Sequence, residues 1–579
     1  MSWIFGFIGE RVSAELQNKL SCIHPAPLLH HQTQSVYIAA GGIPQTCLFE
    51  ISNPPDRSME TGWLIVGLGI QQNDLSCKFL DRAGWRKILL SDTPDVATLN
   101  GHFIALRWKH NQVECFSDQL GMRTIYFAET EDGVLFSTRL DWILKLKTER
   151  GFDFGEFGSH WLTFNHLSYE CFIKGVRRLG PGGVASCTPK RIDIKNIPLE
   201  PHLMATPVSI DKILMAFLNP VLADESSLSL GLSGGLDSRL LFSVLLTNWR
   251  NSFSLHLFGN PSEPDVKIAQ QMARDFRIDQ IFFPESVPEE ESRIDSMKEY
   301  IAKTSLAQPV SSWAKLRFHS RLYRMNKIMI DGGMGEIGRR QFLNRLYFGA
   351  SKGKISGNPK TMAPYIMMHR ASVFASDIDQ TMRKGIDEQL ENVWPSLPSI
   401  DKIGYENFLD LFIVHFRFPN YAGLDQARLD EEIVNYMPFA QPGFIQAAFQ
   451  TSVALKRSGK LYRRMIQLLQ PSLTKYPLVK GQLTYPFAFP TIPAWLYTKF
   501  KTKTGLLFRN PTRDDFLHSL KEYIYDVIAS DSVKGWGAYN YKSIVRLADR
   551  YYSGDKALSS DLDWFLSFEL WRQSLGIGA

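Results

Sequence analysis

Cysteine is scarce in this sequence and is confined to its first third. The 579 residues contain six cysteines, which lie between Cys22 and Cys187. No two of them form a C-x-x-C pair, so the sequence offers no cysteine-based zinc or dithiol motif. Because no cysteine follows Cys187, the remainder of the chain cannot carry an acyl group as an enzyme thioester. Acyl transfer in that part would need direct attack on an activated acid.

Long apolar runs are also missing. No uninterrupted hydrophobic stretch reaches the ~18 residues that a membrane-spanning helix requires. Glu10 and Arg11 close the apolar start of the chain too early for a signal peptide. We therefore expect a cytoplasmic protein with no membrane partner.

Strong net charge is absent as well. The formal charge is +6 over 579 residues, and 44% of the residues are hydrophobic, which is enough for ample cores in more than one domain. We expect no nucleic-acid partner. We interpret the local basic clusters as solvated helix faces or as contacts to ATP, pyrophosphate or an acidic peptide. These clusters are Arg339-Arg340, Arg463-Arg464 and the run from Lys499 to Lys503.

The most informative segment places a glycine-rich loop between a strand and a helix. Leu228 and Leu230 alternate with polar or small residues as in a strand, and the apolar residues after Ser238 recur at helical spacing. At such a turn, glycines let the backbone approach a phosphate, and the first N–H groups of the helix face the anion. The sequence therefore predicts a phosphate site formed by Leu232, Ser233, Gly234, Gly235, Leu236, Asp237 and Ser238.

Asp237 needs its own explanation, because a carboxylate beside phosphates would repel them. A bridging Mg²⁺ removes that repulsion. The G-x-S-x-G nucleophile elbow fits Gly231, Ser233 and Gly235, but it explains neither Asp237 nor the acidic loop downstream. A Walker A loop is excluded, since G-x-x-x-x-G-K-[ST] does not occur in the chain. The plain alternative is a glycine turn with a solvated aspartate.

SGGLDS at 233–238 resembles the pyrophosphate-binding loop of the asparagine synthetase family. The segment 252–276 resembles that family's second strand and helix, and IMIDGGMGEIG at 328–338 resembles its acidic loop. Members of the family use ATP to activate a carboxylate as an acyl-adenylate and release pyrophosphate. The resemblance implies ATP and Mg²⁺ as cofactors, and it adds Leu255 and Ile330 to the nucleotide contacts.

The acidic loop departs from the family pattern. The segment from Asp331 to Glu336 is one residue longer, and no aspartate immediately precedes Glu336. The resemblance implies that Asp237 and Glu336 hold Mg²⁺, with Asp331 as the alternative partner, and that both loop acids serve catalysis.

A lysine late in the synthetase part is also implied by the resemblance. It would stabilise negative charge on the adenylate transition state. Lys480 is the candidate for this catalytic role, and Lys475 and Lys460 are its rivals.

The first part of the chain resembles the glutaminase-type domain that precedes the synthetase in that family. The matching segments are MSWIFGFIG at 1–9, NGHFIALRW at 100–108 and DQLGMRTIYF at 118–127. Glutamine-using members have a nucleophilic cysteine directly after the initiator methionine, where this chain has Ser2. The segments that hold glutamine have no equivalents between residues 30 and 100. We expect glutaminase activity to be lost, leaving a scaffold or substrate platform.

The resemblance implies two folds in sequence. An α+β sandwich of the Ntn-hydrolase type comes first, followed by an α/β synthetase domain of the PP-loop, adenine-nucleotide alpha-hydrolase-like type with a helical C-terminal part. We place the domains at residues 1–190 and 208–579, joined by a polar, proline-containing linker over 188–207.

Together these features predict an ATP-dependent ligase that joins a small-molecule or peptide carboxylate to an amine. The first hypothesis is macrolactam formation in a lasso-type peptide or another natural product, with a precursor peptide and its leader peptidase as partners. The alternatives are an asparagine synthetase that uses ammonia, an amidotransferase that tailors a glycan precursor, and a non-catalytic ATP-binding protein.

Overall fold

The computed structural model of the chain describes residues 2–578, apart from 53–60, 74–75, 148–149, 204–208, 223–226, 289–291, 341, 344–345, 347–354, 356, 481 and 505–509. The protein is mixed α/β, with several sheets and many helices. Within these described ranges, no helix is both long enough and apolar enough to cross a membrane.

Two antiparallel sheets occupy the first part of the chain. Their strands are β1 Trp3–Gly9, β2 Leu29–Gln32, β3 Val36–Gly41, β4 Cys47–Ser52, β5 Thr61–Asn73, β6 Ser76–Phe79, β7 Asn100–Lys109, β8 Gln112–Ser117, β9 Tyr126–Thr130, β10 Gly133–Ser137, β11 Val176–Arg178, β12 Val184–Thr188 and β13 Arg191–Lys195. One sheet has the order β11-β9-β10-β1-β3-β2, and the other runs β13-β12-β8-β7-β5-β4 with β6 beside β5. The helices of this part are α1 Ala14–Ser21, α2 Arg82–Leu89, α3 Leu140–Leu146 and α4 Phe154–Leu162.

The two sheets pack face to face between helices. The alternation of β1 places Ile4 and Ile8 in the core between the sheets. Phe5 and Phe7 point the other way, into a second core with residues of α1 and α3. Trp85 of α2 covers the outer face of the other sheet. The result is a helix–sheet–sheet–helix layering, which we call the sandwich.

A third sheet is parallel and has a central first strand. Its strands are β14 Ser227–Gly231, β15 Phe253–Gly259, β16 Gln280–Pro284, β17 Lys327–Ile330 and β18 Asn435–Tyr436, and its first helices are α5 Ile210–Leu222, α6 Leu236–Asn248 and α7 Pro264–Phe276. The spatial order is β16-β15-β14-β17-β18. The chain therefore moves outward from β14 on one side and from β17 on the other, which leaves a crevice at the carboxyl ends of these two strands.

Helices make up most of the remainder of the described chain. They are α8 Arg293–Thr304, α9 Trp313–Leu316, α10 His319–Arg324, α11 Ala363–Ile366, α12 Ser376–Val393, α13 Ile400–Ile403, α14 Tyr405–Arg417, α15 Gly423–Leu429, α16 Pro442–Gln450, α17 Val453–Lys456, α18 Lys460–Leu469, α19 Thr491–Lys503, α20 Thr512–Ser519, α21 Lys521–Ala529, α22 Asp531–Lys534, α23 Tyr541–Tyr552 and α24 Ser559–Leu575. A hairpin of β19 Leu478–Lys480 and β20 Leu483–Tyr485 lies between α18 and α19 in sequence. Single 3₁₀ or π turns occupy Pro44–Thr46, Val310–Ser312, Gly335–Arg339, Pro359–Met362, Trp394–Ser396, Phe418–Ala422, Arg457–Gly459, Pro471–Lys475 and Lys556–Leu558.

One hydrophobic core crosses the domain boundary that we place near residue 190. Phe157 and Trp161 of α4 lie in the same buried cluster as Phe568 and Trp571 of α24. Helix α4 of the first proposed domain therefore packs in the hydrophobic core of the second.

A buried ion pair joins the sandwich to the segment before the last parallel strand. The carboxylate of Asp118 is fully buried and accepts N–H bonds from Leu120, Met122 and Arg123 at 3.0–3.1 Å, which fixes the turn that carries Arg123. The Arg123 guanidinium donates from Nη2 to Asp430 Oδ1 at 2.6 Å, and both side chains are 3% exposed. This geometry gives the aspartate and arginine of the 118–127 motif a structural role.

Replacing Arg123 with alanine is expected to lower the free energy of unfolding by about 3–5 kcal/mol, because it leaves the Asp430 carboxylate buried without its partner. Denaturant unfolding of the full chain measures this change. The control is Lys19→Ala, which breaks an exposed pair with Glu15 and should leave the unfolding midpoint where it is. Equal effects of the two substitutions would contradict the assignment.

Candidate functional site

The glycine-rich segment forms the predicted turn between a strand and a helix. It leaves β14 and enters α6, and its side chains and backbone bind one another. Ser233 Oγ lies 2.8 Å from Ser238 Oγ and accepts the Gly235 N–H at 3.1 Å. The Gly234 N–H donates to Asp265 Oδ1 at 2.7 Å. The loop thus holds a carboxylate oxygen on its own backbone.

A second chain segment lies directly against this loop. The Val479 N–H donates to the Gly234 carbonyl at 3.2 Å, and a Cβ on Gly234 would lie 2.5 Å from Val479 Cγ2. Arg239, which is fully buried, donates to the carbonyls of Gly234 at 3.1 Å and of Tyr476 and Pro477 at 2.8 Å. The Arg239 guanidinium therefore links the segment that leads into the β19–β20 hairpin to the glycine-rich loop.

The acidic loop packs on the other side of the same turn. A Cβ on Gly332 would lie 2.7 Å from the Ser238 nitrogen, and one on Gly335 would lie 2.6 Å from Asp237 Cγ. Only residues without side chains permit this approach. The structure thus brings together Asp237 and the segment 331–336, as the sequence predicted.

An arginine fills the space between the two loops. Arg339 donates to both carboxylate oxygens of Asp237, from Nε and Nη2, at 2.6 Å each. Glu336 Oε1 lies 3.5 Å from the same guanidinium. Burial raises the pKa of the Asp237 carboxyl to about 6, and Arg339 opposes that rise.

The interpretation of Arg339-Arg340 as a solvated basic face is wrong. Arg339 is largely buried on Asp237, and Arg340 is 4% exposed with its Nε 3.5 Å from Asp410 Oδ1. Both arginines are held by carboxylates that lie far away in sequence, which is why local sequence did not reveal them.

A cavity of about 230 Å³ opens at the carboxyl ends of β14, β15 and β17. This is the crevice expected from the strand order. Ser233 and Asp331, which were predicted from the sequence, line this cavity. Its wall also carries charged and polar groups that the sequence did not predict. These additional groups include Asp265, Lys315, His256, His319, Asp425 and Arg428.

The two cavity histidines are neutral at neutral pH. Burial lowers the pKa of His256 to about 3, and burial together with Arg428 lowers that of His319 to about 3. The positive charges on the cavity wall are therefore those of Lys315 and Arg428. Asp331 Oδ1 accepts the Gly333 N–H at 2.6 Å, and burial raises its pKa to about 6.

The two predicted nucleotide contacts outside the loop do not line the cavity. The side chains of Leu255 and Ile330 are fully buried in the hydrophobic core of the parallel sheet. Strand alternation instead turns the neighbouring His256 to the cavity. Leu232 lines the cavity, whereas the side chain of Leu236 is buried in the core.

The candidate lysines differ in their surroundings. Lys480 follows Val479, so its backbone lies beside the glycine-rich loop, but its own side chain is exposed. Lys475 is exposed and lies 3.4 Å from Asp275, and Lys460 is exposed at the start of α18.

Ser2 lies at the contact between the sandwich and the rest of the protein. It is 1% exposed, and its hydroxyl lies within hydrogen-bonding distance of the Thr46 hydroxyl and of the Ile43 carbonyl. Its N–H donates to the Asp430 carbonyl at 3.0 Å. Both polar groups that an N-terminal nucleophile would use are engaged.

The acids predicted to hold Mg²⁺ do not fit such an ion in this arrangement. Both Asp237 oxygens accept hydrogen bonds from Arg339, and Glu336 Oε1 lies 3.5 Å from the same guanidinium. Asp331 Oδ1, the alternative ligand, accepts the Gly333 N–H. In the part of the chain that the structure describes, no group of three or more His, Cys, Asp or Glu side chains is arranged to hold a metal ion.

No protein-family model matches the chain, and no curated protein matches it. It is similar to a solved structure described as "structure of the allosteric regulatory enzyme of purine biosynthesis", with 9% identity and a TM-score of 0.21. The match covers 40% of this chain and 60% of that one. So distant a likeness carries no argument about fold or function.

Gly335→Ala is expected to force the acidic loop away from Asp237, because the new Cβ would meet the carboxylate carbon. We expect a loss of about 1–3 kcal/mol in the free energy of unfolding, measured by thermal or denaturant unfolding. Gly537→Ala is the matched control, since its Cβ would meet no atom within 4 Å. An unchanged midpoint for Gly335→Ala would show that the loops do not touch as described.

Asp331 should couple stability to pH. Its folded pKa of about 6 lies above the value near 3.9 of an unfolded aspartate, so its contribution is complete below about pH 4 and is lost as the pH rises through 6. Asp331→Asn removes the charge and keeps an oxygen for Gly333. Relative to the wild type, this variant should gain roughly 1–2 kcal/mol between pH 5 and pH 8. Unfolding at the two pH values tests this, and a pH-independent difference would refute it.

Proposed function

We propose that this protein is an ATP-dependent ligase that activates a carboxylate as an acyl-adenylate and passes it to an amine. The observation that carries the proposal is the convergence of three segments at the carboxyl end of β14. They are the loop 232–238, the acidic loop 331–336 and the hairpin strand that ends at Lys480. A ligand site is the usual use of this position in a parallel sheet.

Phosphate binding is supported by the chemistry of the loop. Glycine backbone, two hydroxyls and the start of α6 meet there, and the Gly234 N–H already holds the Asp265 carboxylate oxygen. Two positively charged side chains lie near the loop: Arg339 on Asp237, and Lys315 in the cavity wall. We propose that ATP binds with its phosphates on this loop and its nucleoside towards the cavity.

We also propose that the two parts of the chain have the folds that the family resemblance implies. Layered antiparallel sheets followed by a parallel sheet with this loop agree with an Ntn-type sandwich and a PP-loop synthetase domain. The engaged hydroxyl and N–H of Ser2 support the loss of glutamine hydrolysis. The sandwich then serves as a support.

The proposed reaction has two steps. An oxygen of the substrate carboxylate attacks the α-phosphorus of ATP, the bond to the bridging oxygen breaks, and pyrophosphate leaves. The amine then attacks the acyl carbon, AMP leaves, and one proton is lost from nitrogen. With the chain's cysteines confined to residues 22–187, direct attack on the adenylate is the simplest path. A precursor peptide, aspartate with ammonia, and a glycan precursor remain the candidate substrates.

A specific observation favours a second candidate, a protein that binds ATP without turning it over. The Arg339 guanidinium occupies both oxygens of Asp237, the carboxylate to which the family resemblance assigns Mg²⁺. Such a protein would bind nucleotide and show no exchange.

ATP–pyrophosphate exchange tests the proposal, with aspartate, other small acids and candidate precursor peptides as the carboxylate. We expect exchange that requires a carboxylate, and Lys480→Ala should lower it about 10²–10³-fold if the ammonium stabilises the transferring phosphoryl charge. Lys315→Ala tests the lysine inside the cavity, and Lys475→Ala, an exposed residue beside Asp275, is the control and should leave the rate unchanged. ATP binding without exchange would favour the non-catalytic alternative.

A further inference from the structure

The acids expected to attract a divalent cation are held instead by one guanidinium. The Nε and Nη2 groups of Arg339 each lie 2.6 Å from an oxygen of Asp237, and Nη2 lies 3.5 Å from Glu336 Oε1. The Asp237 and Arg339 side chains are 13% and 14% exposed, so solvent screens this pair only partly. A paired, planar fork is the strongest form of carboxylate recognition by a side chain.

The Arg339 guanidinium and a metal ion would compete for the same two oxygens of Asp237. Mg²⁺ binds carboxylate oxygens at about 2.0–2.1 Å in a near-octahedral shell and gives up its water reluctantly. The oxygens of Asp237 cannot satisfy that shell while both accept hydrogen bonds from Arg339. A cation at this carboxylate would first have to displace the arginine.

The local backbone holds the arginine in place. Arg339 closes the 3₁₀ turn that begins at Gly335, and Gly335 itself packs on Asp237. The Tyr462 hydroxyl donates to the Gly335 carbonyl at 2.9 Å, which ties this turn to α18. Arg463, also on α18, lies near enough for the two guanidinium charges to interact. Positive charge is therefore built into the wall beside the loop.

We infer that Arg339 supplies the positive charge at this phosphate loop, so that pyrophosphate and the phosphates of ATP bind here without a divalent cation. The inference rests on the proposed function, because it assumes that the loop binds polyphosphate. Arg339 cancels the charge of Asp237, and Arg463 adds a second positive charge near Arg339. Mg²⁺ adds nothing to binding at this loop.

Equilibrium binding of inorganic pyrophosphate and of ATP to the full chain, in EDTA and in excess Mg²⁺, tests the inference. The wild type should bind each ligand with affinities that agree within about threefold in the two conditions. Arg339→Ala should bind about 10–100-fold more weakly in EDTA, because the Asp237 carboxylate is then left without its positive partner beside the phosphates. Mg²⁺ should restore that variant, because the Asp237 carboxylate is then open to the ion.

Asp237→Asn gives the sharper test and keeps the shape of the side chain. It removes the negative charge that Arg339 neutralises, so we expect binding in EDTA that is at least as tight as in the wild type and is unaffected by Mg²⁺. Arg464→Ala, which removes an exposed arginine from α18, is the control and should change the affinity less than about twofold. Thermal unfolding of each variant checks that it is folded. If Arg339→Ala does not fold, the binding data for Asp237→Asn decide the test.

The outcomes separate the two proposals. Wild-type binding that appears only with Mg²⁺ and is lost in Asp237→Asn would overturn the inference and keep the polyphosphate site. An absence of pyrophosphate and ATP binding in both conditions would overturn the proposed function, and the inference with it.

Discussion

The need to bury a carboxylate at the start of α6 governs the arrangement of the site. Asp237 lies under the acidic loop, where desolvation raises its pKa to about 6. An isolated buried charge would cost several kcal/mol, so its partner must be close and well oriented. Arg339 meets that need with two hydrogen bonds. The guanidinium can reach Asp237 only because the loop that carries it lies against the helix.

Glycines and one buried arginine make that approach possible. The acidic loop touches Asp237 at Gly335, and the hairpin touches the phosphate-type loop at Gly234. Four backbone carbonyls from two segments accept hydrogen bonds from Arg239, which is fully buried. The glycine-rich loop, the acidic loop and the hairpin are therefore in van der Waals contact at the carboxyl end of β14. An added Cβ at Gly335 or Gly234 would push these segments apart.

Sequence predicted the parts of this site that depend on local pattern. The turn from β14 to α6 follows from leucine alternation and helical spacing, and its contact with the segment 331–336 follows from the family resemblance. The resemblance predicts that Leu255 and Ile330 contact the nucleotide, but it does not give which face of each strand meets the cavity, and both side chains lie in the core. Arg339 was missed because its partner, Asp237, lies about a hundred residues away, and a basic pair in isolation has the pattern of a solvated surface.

Long-range contacts from the sandwich hold the segment that follows the cavity wall. Asp430 follows the end of α15, two residues after the cavity residue Arg428. The sandwich holds Asp430 twice, through the Ser2 N–H on its carbonyl and through Arg123 on its carboxylate. Arg139 adds a contact at 3.3 Å to the next residue, Glu431. Ser2 is 1% exposed and forms one of these contacts, so its backbone helps to position the segment beside the cavity wall.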